Sequence, residues 1–96
     1  MYFFGGAFFA NAVPHFTNGV SGRTFPSPFS TPPDQGPSSP TVNVLWGTFN
    51  LVIAYLLLAK VGAFSVRSAR DATIFGLGWL ALAVMLSRAF GAIYAR

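Results

Sequence analysis

The sequence predicts an all-α membrane protein with a single domain over residues 1–96. We expect three transmembrane helices: a short first helix and then an antiparallel helical hairpin, with a proline-rich extended loop between helices 1 and 2. Two observations predict this fold class. The 96 residues are 53% hydrophobic and only 8% charged, whereas ordinary globular domains carry roughly 25% charged residues. The chain also contains two long stretches with almost no charge, and lipid solvates apolar side chains but penalises charged ones.

These two stretches are the predicted helices 2 and 3. Helix 2 covers about 42–63, and helix 3 covers about 71–95, where Arg88 is the only charge after Asp71. Each reaches the ~20 residues that cross a ~30 Å hydrocarbon core. Both lack the polar face of a helix in a soluble bundle. The connection between them is short, so we expect an antiparallel hairpin, with Ser68 or Asp71 capping helix 3.

Helix 1 is predicted at about 2–18, although a protein with only two spans remains an alternative. The stretch MYFFGGAFFANAV has no charge and lacks the basic start of a secretory signal peptide. Extension through PHFTNG makes it long enough for a short span, with a kink at Pro14 that membrane helices tolerate. Asn18 and Gly19 both accept left-handed backbone, so they are the predicted helix stop.

The predicted loop at about 22–41 contains six of the seven prolines. This density favours extended, polyproline-like backbone over helix or sheet. Phe25 and Phe29 argue against a free linker, because we expect such side chains to fold back onto the membrane interface or the helices. The segment Ser39-Pro40-Thr41 is a candidate cap for helix 2.

Basic residues predict the orientation. Lys60, Arg67 and Arg70 cluster between helices 2 and 3, which places that loop in the cytoplasm by the positive-inside rule. The amino terminus is then cytoplasmic, while the proline-rich loop and the carboxy terminus lie outside. Arg88 and Arg96 count against this orientation.

A rise of 1.5 Å per residue places the polar residues at two depths. Asn11 lies roughly 15 Å from the start of helix 1 and Asn50 roughly 12 Å into helix 2, so they are candidates for a pair near mid-membrane. A second set falls near the outer interface, beside Trp46 and Tyr94, and forms a candidate polar cluster: His15, Asn18, Arg23, Asn43 and Arg88. An alternative for Arg88 is an exposed side chain whose long stem lets its charge reach the headgroups.

Small residues predict the helix-packing faces. One stripe on helix 2 consists of Asn43, Gly47, Asn50 and Ala54, and one on helix 3 consists of Gly76, Ala83, Ser87 and Gly91. Such stripes let membrane helices approach closely, and asparagine hydrogen-bonds across the contact. The alternative is chance, since glycine and alanine are common in membrane helices.

The residues argue against most catalytic chemistry. The two acids, Asp34 and Asp71, lie in or beside loops, so neither supplies an intramembrane carboxylate. The chain has no cysteine, and its one histidine cannot hold a metal alone. The basic residues are scattered and form no nucleic-acid-binding patch. His15 remains a candidate axial ligand for a haem or chlorin, although a hydrogen bond to Asn18 or to the backbone is the simpler expectation.

Two segments carry a resemblance to a protein family. NAVPHFTNGVSGRTFPSPF, followed by SSPTVNVLWGTFNLVIAYLL, resembles a group of small uncharacterised bacterial inner-membrane proteins. Their shared pattern is a PHFxNGxSGxxFxxPF segment followed by an NVLWGxxN helix, and the resemblance covers roughly residues 10–58. It implies a bacterial inner-membrane location and an outer loop with a fixed structure, and it implies no mechanism.

The functional expectation is therefore a small non-catalytic membrane protein that contacts the lipid bilayer and either self-associates or serves as an accessory subunit of a larger membrane complex. A small oligomeric transporter or channel lined by Asn11, His15, Asn50 and Arg88 is the alternative. Haem or chlorin binding through His15 is a third hypothesis; otherwise we expect no cofactor.

Overall fold

The computed structural model describes residues 1–33 and 36–94, which form an all-helical fold. Its helices are α1 (Tyr2–Val20), α2 (Pro40–Tyr55), which continues as a π-helical segment (Leu56–Val61), and α3 (Ala69–Tyr94). The only β-pairing among the described residues is an isolated bridge between Phe25 and Ser38. Two helices are long and apolar enough to cross a membrane, Pro40–Val61 and Ala69–Tyr94. The molecule measures 41 × 24 × 20 Å.

The short helix α1 lies in the middle of the molecule. It packs against both α2 and α3, which do not pack against each other in the described part of the chain. The predicted hairpin of helices 2 and 3 therefore needs correction: the two helices are consecutive and run in opposite directions, but α1 separates them. The reason is that α1 carries small residues on both sides: Gly5, Gly6, Ala10, Ala12 and Gly19 are all buried.

Helix α1 ends later than the sequence predicted. It continues through Pro14 and through Asn18 and Gly19, and its left-handed residue is Gly22, with φ = 76°. The Arg23 N–H donates to Asn18 O at 2.8 Å and the Gly22 N–H to Gly19 O at 3.0 Å, which is the Schellman pattern of helix ends. Asn18-Gly19 is thus not the helix stop. Gly19 is instead a packing residue, since a Cβ there would lie 2.6 Å from Pro40 O.

Serine caps set the amino-terminal ends of α2 and α3. Ser39 Oγ accepts a hydrogen bond from Val42 N at 3.2 Å and Pro40 occupies the first turn, so α2 begins at Pro40. Ser68 Oγ accepts from Asp71 N at 3.1 Å, and Asp71 Oδ2 accepts from Ser65 N at 3.1 Å. Of the two candidate caps, Ser68 therefore caps α3, and Asp71 holds the turn before the helix through Ser65 N.

The loop between α1 and α2, called the proline-rich loop below (residues 21–39), folds back over the ends of the helices. Phe25 is buried, and its ring centroid lies 4.6 Å from that of Phe90. Phe29 keeps an exposed face, but its ring meets that of Trp46 edge-on at 5.3 Å. Within the described residues, these rings hold the loop against α2 and α3, and the Phe25–Ser38 bridge ties its two ends together.

Candidate functional site

The mid-depth asparagines are in direct contact. Asn11 Nδ2 donates to Asn50 Oδ1 at 2.9 Å, and Asn50 Nδ2 donates to Trp46 O at 2.8 Å. Trp46 O is a carbonyl oxygen and can only accept, so the Asn50 atom bonded to it is the nitrogen and the other amide atom of Asn50 is the oxygen. That oxygen also only accepts, so the Asn11 atom bonded to it is a nitrogen. The structure thus brings together the two residues that the depth estimate pairs, on facing sides of α1 and α2.

The outer polar residues form a second contact between the same helices. His15 is 2% exposed and its Nδ1 lies 2.8 Å from Asn43 Oδ1. Asn43 is fully buried, and its Nδ2 donates to Phe25 O at 2.9 Å, to Ser39 O at 3.2 Å and to Ser38 O at 3.3 Å. Asn43 therefore ties α1, α2 and the proline-rich loop together through one side chain.

Two serines extend this outer network into the loop. Ser27 is completely buried, and its Oγ lies 2.6 Å from Ser38 Oγ. Ser30 Oγ donates to Ser27 O at 2.7 Å. Sequence reasoning missed these serines, although their alternation with prolines was a usable signal: a loop that folds onto apolar helices needs side chains to satisfy its own backbone.

Aromatic rings enclose His15. Its ring centroid lies 5.4 Å from that of Phe25, 6.1 Å from that of Phe90 and 6.4 Å from that of Trp46, each in edge-on geometry. Haem or chlorin ligation would require this enclosure to open. That hypothesis stays a prediction, which an absorbance spectrum of the purified protein in the Soret and near-infrared regions would test.

Three members of the predicted outer cluster, Asn18, Arg23 and Arg88, lie elsewhere. Asn18 accepts a hydrogen bond from Arg23 Nε at 3.1 Å and donates to Pro14 O at 2.7 Å, so it belongs to the end of α1 and not to the His15–Asn43 contact. Arg88 is exposed and makes no hydrogen bond or ion pair with any described residue, which corrects its assignment to the cluster. Its place on α3 agrees with the alternative of a side chain that reaches the headgroups.

The small-residue stripe of α2 forms the contact with α1. Asn43, Gly47, Asn50 and Ala54 are its buried residues. A Cβ on Gly47 would lie 2.8 Å from Phe16 N, so the absence of a side chain there lets the backbones of the two helices approach.

The glycines of the stripe predicted on α3 do not make its close contact with α1. Gly76 and Gly91 have open space where a Cβ would be, and Ser87 is exposed. Ala83 and Ser87 instead line a shallow hollow of about 270 Å³ between α1 and α3. The glycine that makes the contact is Gly78, whose Cβ would collide with Phe3 O, opposite Gly6, whose Cβ would collide with Phe75 O. Gly76 and Gly78 lie two residues apart on nearly opposite faces, and an evenly apolar helix does not show which face it buries.

A groove of about 480 Å³ opens between α2 and α3 because α1 keeps them apart. Its floor is α1, with Asn11 and His15, and its walls include Trp46 and Asn50 from α2. Pro28 of the proline-rich loop lies at the outer end. The rest of the lining is apolar: Ala7, Phe8, Leu82, Met85, Leu86, Ala89 and Phe90. Ligand sites of this size are mostly apolar with a few placed polar groups.

Sequence comparison adds no relative to this picture. Comparisons of the chain with protein-family models, with curated proteins and with solved structures give no match.

Proposed function

We propose that this chain is a small non-catalytic protein of the bacterial inner membrane, where it self-associates or serves as an accessory subunit of a larger complex. The observation that carries the proposal is the outward-facing apolar surface of the two long helices. Only 22% of the most apolar stretch of Pro40–Val61 is buried, and only 6% of that of Ala69–Tyr94. The core helix of a soluble protein would be mostly buried, whereas lipid or a partner subunit covers such a surface without cost.

Helix α1 crosses the membrane as a third span in this proposal. Its 19 residues rise about 28 Å, close to the ~30 Å of a hydrocarbon core. Tyr2 Oη accepts from Ala63 N at 2.9 Å at one end, and Gly19 packs on Pro40 at the other. Because α1 runs along both long helices between these ends, it crosses the membrane if α2 and α3 do.

The arrangement of the polar groups favours a structural role. The Asn11–Asn50 and His15–Asn43 contacts hold α1 against α2, and the Asp71 carboxylate is bonded to Ser65 N in the turn before α3. Side chains used in this way position helices, and the exposed faces of α2 and α3 remain for lipid and other subunits.

A transporter or channel is the second candidate, because the groove brings Asn11, His15 and Asn50 to one surface. Arg88, the fourth residue of the predicted path, is exposed and does not line the groove. A conducting path would therefore need further subunits around the groove.

Alkaline carbonate washing tests the membrane location, and the protein should remain in the membrane pellet. Native mass spectrometry in a gentle detergent then tests assembly, where we expect an oligomer or a co-purifying membrane protein. Recovery in the carbonate supernatant would overturn the membrane proposal. A monomer without a partner would overturn the role in assembly, and selective ion flux in liposomes that contain only this protein would favour the second candidate.

A further inference from the structure

The groove between α2 and α3 has α1 as its floor and residues of α2 and α3 as its walls. Pro28 of the proline-rich loop also lines it. In the membrane proposed above, on which this inference rests, the open side faces hydrocarbon. A molecule would therefore enter from the lipid and not from water.

The Asn11 side chain presents an acceptor with unused capacity to this apolar surface. Asn11 uses Nδ2 to reach Asn50, and the direction of that bond is fixed by the bond from Asn50 to Trp46 O. Asn11 Oδ1 is then a hydrogen-bond acceptor, and no described residue donates to it. Asn11 is half-buried and lines the groove, so this oxygen lies near mid-membrane where no bulk water replaces a missing donor.

We propose that the groove binds a lipid-soluble alcohol: an apolar chain or ring system with a hydroxyl group that donates to Asn11 Oδ1. The apolar lining from α1 and α3 fits the body of such a molecule. An acceptor without a donor selects a hydroxyl over a ketone, an ether or a plain hydrocarbon, because those groups have no hydrogen to give. The volume of about 480 Å³ lies within the range of sites for small ligands.

Besides Asn50, which is bonded to Asn11 and to Trp46 O, two other polar groups of the groove are not used in this proposal. Trp46 Nε1 is buried without a hydrogen-bond partner among the described residues, and it is too enclosed to meet a ligand without a rotation of the indole. His15 is 2% exposed and held by Asn43. Asn11 is therefore the residue that carries selectivity.

The test uses purified protein in detergent with two probes, ω-bromoundecanol and the methyl ether of the same bromoalkyl chain. Bromine quenches the fluorescence of nearby tryptophan, and Trp46 lines the groove. The protein used carries Trp79→Phe, so that Trp46 is its only tryptophan. With probe concentration expressed as mole fraction in the micelle, we expect saturable quenching by the alcohol. The ether should bind about five- to tenfold more weakly, as expected for the loss of one hydrogen bond.

Two variants separate the hydroxyl contact from simple filling of the groove. Asn11→Leu combined with Asn50→Leu removes both amides and should bring the alcohol to the affinity of the ether. Ala89→Phe fills the apolar wall and should abolish saturable quenching by both probes. Asn18→Leu is the control, because Asn18 lies on α1 outside the groove lining, and it should leave both affinities unchanged.

Each other outcome overturns the proposal. Equal affinity for the two probes would mean that an ordinary acyl chain fills the groove. No saturable quenching from a protein that is dimeric by native mass spectrometry would mean that a second copy covers it. Either result leaves the carbonate-wash test untouched, so the failure of this inference is distinguishable from failure of the proposed membrane role.

Discussion

At the scale of single residues, two asparagine contacts decide how α1 sits against α2. The Asn11–Asn50 bond should tune this packing and not decide folding, because interhelical polar contacts in membranes average about 0.6 kcal/mol. We expect Asn11→Leu and Asn50→Leu each to lower the free energy of unfolding modestly. The double variant should cost less than the sum of the two, since their shared bond is lost only once. A double-mutant cycle by unfolding in mixed micelles measures this coupling, and strict additivity would show that the two side chains act independently.

Asn43 should contribute more to the free energy of unfolding than Asn11 or Asn50, because its one buried side chain bonds to three backbone carbonyls and to His15. Asn43→Leu removes the acceptor of His15 Nδ1 and the side-chain bonds to the three carbonyls, which keep their backbone donors, so the free energy of unfolding should fall by about 1–3 kcal/mol. The Phe25 and Ser38 amides, which bond across the bridge, should also exchange hydrogen faster. Asn18→Leu is the matched control, and it should leave exchange at Phe25 and Ser38 unchanged. Unchanged protection in Asn43→Leu would mean that the aromatic contacts alone hold the loop.

At the scale of helices, the contact of α3 with α1 depends on one of two neighbouring glycines. Gly78→Ala places a methyl group against Phe3 O, so the helices must separate, at a cost of about 1–3 kcal/mol. Gly76→Ala meets open space and should be neutral or stabilise the helix by up to about 1 kcal/mol. Unfolding in mixed micelles compares the two variants. Equal losses, or a larger loss at Gly76, would contradict the placement of α3.

At the scale of the whole molecule, the orientation predicted for the proposed membrane protein rests on the basic residues between helices 2 and 3. The structure indicates where to probe it, since Ser30 is buried and Thr24 and Val66 are exposed. A membrane-impermeant maleimide should label Thr24→Cys in intact cells and Val66→Cys only after permeabilisation. Labelling of Val66→Cys alone in intact cells would reverse the orientation, while labelling of both would contradict a membrane-spanning arrangement.

The sequence by itself determined that the fold is helical and that two helices are long and apolar enough to cross a membrane. Charge scarcity and uninterrupted apolar runs indicate two long membrane helices whatever their packing, because these are properties of composition and length. It also indicated the buried face of α2, since Asn43, Gly47 and Asn50 are the polar and small residues of an otherwise bulky helix. Depth counted along the helices placed Asn11 level with Asn50, because helical rise is constant.

Only the tertiary structure decided that α1 lies between α2 and α3. That order depends on which glycines touch backbone, and Gly76, Gly78 and Gly91 look alike in the sequence. The end of α1 was also decided by tertiary contact: Gly19 packs on Pro40, so the helix continues to a stop at Gly22. The groove follows from the first of these results, because it exists only where a central helix keeps its two neighbours apart.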